Sequence, residues 1–304
     1  MDVNVGALVK QLRGELENFE EIAKNLIPQP GDVPRLRGLD ICGGTLPLNG
    51  QVGGDHLIWL DFKQRFDLEA RAHRGLGEGR MDVVENLRRC QKIAGIALLD
   101  VSGHRVTDAL MAAMLHQAFL LGAIYELDIS GQITRRLFEN LNTRFYQSSG
   151  THKFVSFIYG EISEDARFRF LSAAQPFPVV FSNRHDRFMK VSPDLCVSFP
   201  PLGMLPSLDV TDRHQTTSAL GFKDDYEMNE WVLMGEGDIL LLHTDGLSEH
   251  HDAAGAEYFP GRLERQIRRV KHRSAADIFE AIQEDVLAFG KPSDDVSLVV
   301  IKRA

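Results

Sequence analysis

Apolar positions fall along this chain in two rhythms. Over residues 5–26, Leu12, Leu16, Phe19, Ala23 and Leu26 alternate steps of four and three, which sets them on one stripe of a helix. Glu15, Glu17, Glu20, Glu21 and Lys24 fill the other faces, and Pro28 and Pro30 end the pattern. Two uses of this helix are open. It packs on its own domain, or it pairs as a short coiled coil that makes a homodimer or links the chain to a separate sensor protein.

From about residue 36 the rhythm changes to short β-rich runs: LDICGG, HLIWLDF and AGIALLDV. Between the last two lies a charged stretch, 63–92. Its second half carries Met81, Val84, Leu87 and Ile93 at helical spacing, which predicts an amphipathic surface helix. Two longer helices are predicted at about 104–123 and 130–147, the first apolar enough that it should be buried. Strand-like runs follow in KFVSFIYGEI, RFRFLSAA, PVVFS and RFMKV, separated by turn signals, as in antiparallel meanders. WVLMGEGDILLLHTDG suggests two strands joined at Gly235-Glu236-Gly237. Helices at about 259–271 and 274–289 precede a last strand, DVSLVVIKR.

The order is not a βαβ alternation, and no GxGxxG or P-loop is present. The expectation is an α+β sandwich: antiparallel sheets face to face with helices outside. The last strand must pair upstream, so residues 31–304 should form one domain preceded by a helix and linker over 1–30.

Composition narrows the class. The chain has 304 residues, 43% apolar and 25% charged, with a formal charge of −9. That is a globular balance, and the acidity argues against a general nucleic-acid partner. Cys42, Cys90 and Cys196 are scattered without zinc-ligand spacing, as in a reducing compartment. The N-terminus has no secretory h-region, and no stretch looks long and apolar enough for a membrane span. The expected location is cytoplasmic.

The candidate chemistry lies in four aspartates at the ends of β runs. Asp55 ends VGGD, Asp100 ends IALLDVSG, Asp245 ends DILLLHTDG and Asp294 opens SDDVSLVVIK. If those edges meet, four carboxylates converge, and burying them unpaired costs several kcal/mol each. A divalent cation resolves the conflict, and an all-oxygen ligand set suits Mg²⁺ or Mn²⁺. Two such ions can activate a water for in-line attack on a phosphate ester. Each motif alone is also a common turn; the four together are not.

VGGD (52–55), DVSGH followed by TDALMAAM (100–114), PPLGM (200–204), LLLHTDGLSEHHD (240–252) and SDDVSLVVI (293–301) occur in the order of the SpoIIE/RsbU-type PPM phosphatases. The chain resembles that family over nearly its whole length. The resemblance implies a β-sandwich flanked by helices and two Mn²⁺ or Mg²⁺ ions. It implies that Asp100 bridges the ions, that Asp245 and Asp294 complete one site, and that Asp55 and the carbonyl of Val101 complete the other. Gly53, Gly54 and Gly103 would allow close backbone approach. The implied substrate is a phosphoserine or phosphothreonine on a STAS-domain anti-sigma-factor antagonist. A catalytically silent scaffold that binds a phosphorylated partner is the alternative.

There are three departures. Asp61, in VGGDHLIWLDF, stands too far along to assign. The interval from Asp55 to Asp100 is long, and the extra segment 63–92 is expected to lie over the site or bind a partner. The family's NAGHP-like turn reads SAAQPFP (172–178), which removes its histidine and suggests altered substrate contacts. Among other candidates, His104 could assist the leaving group, His250-His251 could bind zinc, and the basic run Arg262–Arg273 suggests a solvated helix face. Asp209 serves as a control outside the motifs.

Overall fold

The protein is described from a computed structural model, which covers all residues except 1–4, 25–26, 30, 49–52, 103–105, 149–153, 208–217 and 219. The side chains of 5, 12, 16, 19, 20, 22–24, 106, 147, 148 and 193, and with them the leucine stripe of the first helix, also lie outside the described residues. In chain order the elements are α1 (Val5–Lys24), β1 (Leu39–Leu46), β2 (Asp55–Asp61), α2 (Phe62–Arg65), α3 (Leu68–Gly77), α4 (Met81–Cys90) and β3 (Ile93–Val101). There follow α5 (Val106–Ser130), α6 (Arg135–Ser148), β4 (Val155–Ser163), β5 (Phe168–Ala173), β6 (Val179–Ser182), β7 (Arg187–Phe188) and β8 (Ser198–Phe199). The chain ends with β9 (Asn229–Trp231), β10 (Ile239–His243), α7 (Asp245–Ser248), α8 (Gly261–Val270), α9 (Ala275–Phe289) and β11 (Val296–Arg303).

Two sheets form, one ordered β1-β11-β10-β6-β7 and the other β2-β3-β4-β5-β8, with β9 also paired to β5. The alternation of side chains along each strand divides three cores. Between the sheets, Leu57, Trp59, Ile96, Leu98, Ile158 and Phe170 meet Val180, Leu240, Leu242 and Val299. On the outer face of the β2–β5 sheet, Ile58, Leu60, Leu99, Phe157 and Tyr159 pack under Leu115, Phe119 and Phe138 of α5 and α6. On the other outer face, Leu241, Leu298 and Val300 pack under Leu263, Ile267, Ile278 and Ile282 of α8 and α9. The layers are therefore helices, sheet, sheet, helices, as the resemblance implies.

Several local expectations change. The run 229–243 is not a hairpin, because β9 pairs with β5 while β10 pairs with β6 and β11, so the chain switches sheets at Gly235-Glu236-Gly237. The same switch separates β5 from β6. Segment 63–92 forms three helices, not one, and Val83, Val84, Leu87 and Cys90 are core residues while Met81 is exposed. It leaves the sheet after Asp61 and returns at Ile93, at the opposite end of the β2–β3 pair from Asp55 and Asp100. At about 3.3 Å per residue, roughly 20 Å separates the two ends. The segment does not lie over the aspartates. It clasps the C-terminal end of α5 instead: Arg71 Nε donates to Asp128 at 2.8 Å, and Asn86 Nδ2 to the Ser130 carbonyl at 2.8 Å.

Helix α5 is apolar all round but only half covered. Leu115, Phe119, Ala123 and Leu127 are buried, whereas Leu110, Met114, Leu121, Tyr125 and Ile129 are exposed. By length and composition Thr107–Ser130 could cross a membrane, a property not recognised in the sequence. Its buried face is part of the α5–sheet core, and α1 lies against it.

Candidate metal centre

Strand register builds the first half of the site. In the antiparallel β2–β3 pair Asp55 lies directly opposite Asp100, and in β3–β4 Asp100 lies opposite Ser156. Directly opposed residues point to one face, so Asp55, Asp100 and Ser156 form a row at the end of one sheet, on the side facing the other. That second sheet supplies the rest. Strand β10 ends at His243, and Thr244 and Asp245 begin the short helix α7. Strand β11 begins just after Asp294 and Asp295.

The edges are tied together by hydroxyl and amide bonds. Thr244 Oγ1 donates to Asp55 Oδ2 at 2.7 Å and accepts from the Ser297 amide at 3.0 Å. The Asp295 carboxylate, 2% exposed, accepts from the amides of Leu48 at 2.6 Å and Gly54 at 2.7 Å. Asp295 also accounts for two glycines of the motifs. A Cβ on Gly53 would meet its carboxylate oxygen at 1.9 Å, and one on Gly246 would meet its main-chain oxygen at 1.9 Å. Only glycine permits these approaches, so VGGD, TDG and SDD close on a single aspartate.

Electrostatics mark the convergence. Burial first, and then the facing Asp100, push the Asp55 carboxyl well above the usual carboxylate range, against the hydroxyls of Thr244 and Ser297. Burial, followed by Asp245 and Asp294, pushes Asp100 up to about 7. All four expected aspartates therefore come to one edge, three from separate strand ends and one from a helix start. Among the described residues, no three His, Cys, Asp or Glu side chains stand close enough to share one ion. The donor set nonetheless fits Mg²⁺ or Mn²⁺: the carboxyls crowd one another, and no Lys or Arg is a leading influence on either Asp55 or Asp100.

Val101, whose carbonyl is the fifth expected ligand, is fully buried, and its amide donates to the Gly54 carbonyl at 3.3 Å. Gly103 and His104 lie outside the described residues, as does Asp209. Asp61 is at the wrong end of β2; it caps α2 by accepting from the Gln64 amide at 3.2 Å. His250 is a core residue, its Nε2 at 3.1 Å from the Val286 carbonyl and its ring against Tyr258 and Phe289, while His251 is exposed. Much of the basic run on α8 is neutralised: Arg262 pairs with Asp285 and Lys271 with Asp186.

Sequence reasoning missed Thr244, Asp295, Ser156 and the His56–His116 pair. Asp295 and Thr244 stand inside the motifs, and their role follows only from contact. His56 Nε2 and His116 Nδ1 are 2.5 Å apart and join β2 to α5 beside Asp55. Burial pushes His56 down to about 3 and His116 to about 4, so both are neutral at physiological pH.

A family model for Stage II sporulation protein E (SpoIIE) matches residues 92–304. The chain belongs to the SpoIIE family. This SpoIIE-family chain has the fold of PPM-type protein serine/threonine phosphatases. It is similar to the RsbU and RsbW domains of Rv1364c from Mycobacterium tuberculosis, with 19% identity and a TM-score of 0.58, covering 89% of this chain and 61% of that one. It is similar to the PP2C phosphatase domain and a regulatory fragment of SpoIIE from Bacillus subtilis, with 16% identity and a TM-score of 0.58, covering 89% and 64%. The SiaA-PP2C domain of Pseudomonas aeruginosa has 14% identity and a TM-score of 0.63, covering 99% and 100%. The chain thus spans less than two thirds of the first two structures. RsbX, which shares this fold, is known in complex with magnesium. No curated protein matches.

Proposed function

We propose that this SpoIIE-family protein hydrolyses phosphoserine or phosphothreonine on a protein, with Asp55, Asp100, Asp245, Asp294 and the Val101 carbonyl holding two Mn²⁺ or Mg²⁺ ions. The observation that carries this reading is the Asp55–Asp100 pair, opposed in register and faced by Asp245 and Asp294, with Asp100 pushed up to about 7. Bound ions would neutralise these carboxylates and activate a water for in-line attack on the phosphate ester. Asp55 is held by the Thr244 hydroxyl and Asp100 faces the Ser156 hydroxyl, so the chain's own contribution is to fix carboxylate direction. Asp295 keeps the three motif loops together.

The proposed substrate is a phosphorylated STAS-type anti-sigma-factor antagonist in a partner-switching pathway. Similarity to RsbU-, SpoIIE- and SiaA-type domains supports it. We further propose that 1–30 is a dimerising helix and linker before a phosphatase domain over 31–304, that a separate sensor acts on the chain, and that the protein works in the cytoplasm. The exposed surface of 63–92, remote from the aspartates, suits partner choice more than chemistry. The silent-scaffold alternative draws on one observation, the lack of a ready-made three-ligand cluster among the described residues. A Mn²⁺-dependent assay on phosphoserine peptides and on phosphorylated STAS proteins separates the two readings. Release of phosphate that EDTA abolishes supports the enzyme; tight binding of the phosphorylated partner without release supports the scaffold.

A further inference from the structure

The turn that departs from the family pattern, SAAQPFP, does not face away from the chemistry. Gln175 is 4% exposed, and its Nε2 donates to Ser156 Oγ at 2.9 Å. Ser156 Oγ in turn lies 3.3 Å from Asp100 Oδ2 and 3.3 Å from the Asp100 carbonyl. The turn itself is fixed from behind: Ser172 Oγ donates to the Gln175 carbonyl at 2.8 Å. Ala174 stands at φ 61°, a left-handed conformation costly for a residue with a Cβ. Among the described residues, the buried Gln175 Oε1 atom has no hydrogen-bond partner. A local strain and an orphaned acceptor are both retained where this one amide meets Ser156.

We propose that Gln175 is a positioning residue that acts through Ser156 to fix the orientation of the Asp100 carboxylate for metal binding. The argument is one of proton direction. An amide nitrogen has only hydrogens to offer, so the Ser156 oxygen must accept from it. The single hydroxyl proton of Ser156 is then left for Asp100, where the charged carboxylate is the stronger acceptor. Without Gln175 the hydroxyl could rotate away and the carboxylate would lose its fixed donor. Such outer partners set the direction and basicity of metal ligands. The family-pattern histidine and this glutamine can both donate a proton from a ring or amide nitrogen, so the departure preserves a donor at the same place in the turn.

The inference rests on the reading of Asp100 as a metal ligand, and the test separates the two. Mn²⁺ binding to the full chain is measured by calorimetry, with the metal alone, for Gln175→Met, Ser156→Ala, the double variant, Gln175→His and Asp100→Asn. Gln175→Met removes the donor at nearly constant volume; Gln175→Asn, one methylene too short to reach, serves if that variant does not fold. Affinity is expected to fall about tenfold in Gln175→Met and in Ser156→Ala. The double variant should bind no more weakly than Ser156→Ala, because both changes interrupt one relay, and Gln175→His should restore binding. Additive losses in the double variant, or wild-type affinity in Gln175→Met together with loss in Asp100→Asn, overturn the relay and leave the metal reading standing. Undiminished binding in Asp100→Asn overturns both.

Discussion

The crowding of carboxylates predicts that the protein becomes more stable when its central aspartate is neutralised, and inactive at the same time. Asp100 is raised from 3.8 to about 7 by burial, Asp245 and Asp294. In the metal-free protein the folded state therefore binds more protons than the unfolded state between those two values. With stability changing as the difference in bound protons, unfolded minus folded, it falls as pH rises through this window. Three units correspond to about 4 kcal/mol at pH 8, and about 1.7 of those units, roughly 2 kcal/mol, accumulate between pH 5 and 7. Asp100→Asn removes the charge while nearly keeping the shape. In EDTA at pH 8 the variant should melt above wild type by roughly 6–10 °C for a domain of this size. The advantage should shrink by more than half at pH 5. Added Mn²⁺ should raise the wild-type melting temperature and leave the variant nearly unchanged. Phosphatase activity of the variant should fall about a thousandfold or more. Thermal melts followed by circular dichroism at pH 5, 6, 7 and 8 decide the matter. A variant that melts at or below wild type in EDTA at pH 8, or whose advantage does not depend on pH, would refute the electrostatic reasoning.

Asp245→Asn and Asp294→Asn should each weaken mainly one ion, so excess Mn²⁺ should recover part of their activity in titrations that leave Asp100→Asn inactive. Asp295→Ala should cost about 3 kcal/mol in urea unfolding, because the Leu48 and Gly54 amides lose their acceptor in a buried place. Reversing the exposed charges Arg74 and Arg88 should leave turnover of a small aryl phosphate within about twofold, since their helices leave the opposite end of the β2–β3 pair; a large loss would show that this segment reaches the site. A chain starting near residue 31 should be monomeric by light scattering, and an unchanged dimer would restrict α1 to packing within its own chain.

Layer order and the position of the aspartates were legible because both follow from strand ends. Each of Asp55, Asp100, Asp245 and Asp294 stands at the edge of a β run, and the run itself delivers it. The pairing of strands was less so. Nothing in WVLMGEGDILLLH distinguishes a hairpin from a crossover between sheets, since both need a Gly-rich link and two apolar runs. The three helices of 62–90 were blurred into one pattern because Met81 and Ile93 happen to keep the spacing of Val84 and Leu87, although one is exposed and the other begins a strand. For α5 the sequence showed apolar residues on every side, which ordinarily means full burial. The fold covers one face with the β2–β5 sheet and leaves Leu110, Met114, Leu121, Tyr125 and Ile129 exposed.

What sequence position could not separate is two classes of aspartate that look alike in a motif. Asp61, Asp238 and Asp295 are as buried as Asp55, and each ends or borders a β run. Their carboxylates are saturated by main-chain amides: Arg35 and Gln64 on Asp61, Asn183 and Gly235 on Asp238, Leu48 and Gly54 on Asp295. Two amide donors tie each of these carboxylates to its own loop. Asp55 and Asp100 have hydroxyl donors instead, from Thr244 and Ser156, and each faces another carboxylate. A hydroxyl satisfies less charge than a pair of amides and leaves the repulsion standing. Asp295, the second aspartate of SDD, thus has its carboxylate taken up in holding loops together, whereas Asp55 and Asp100 are the opposed pair whose repulsion a cation would relieve.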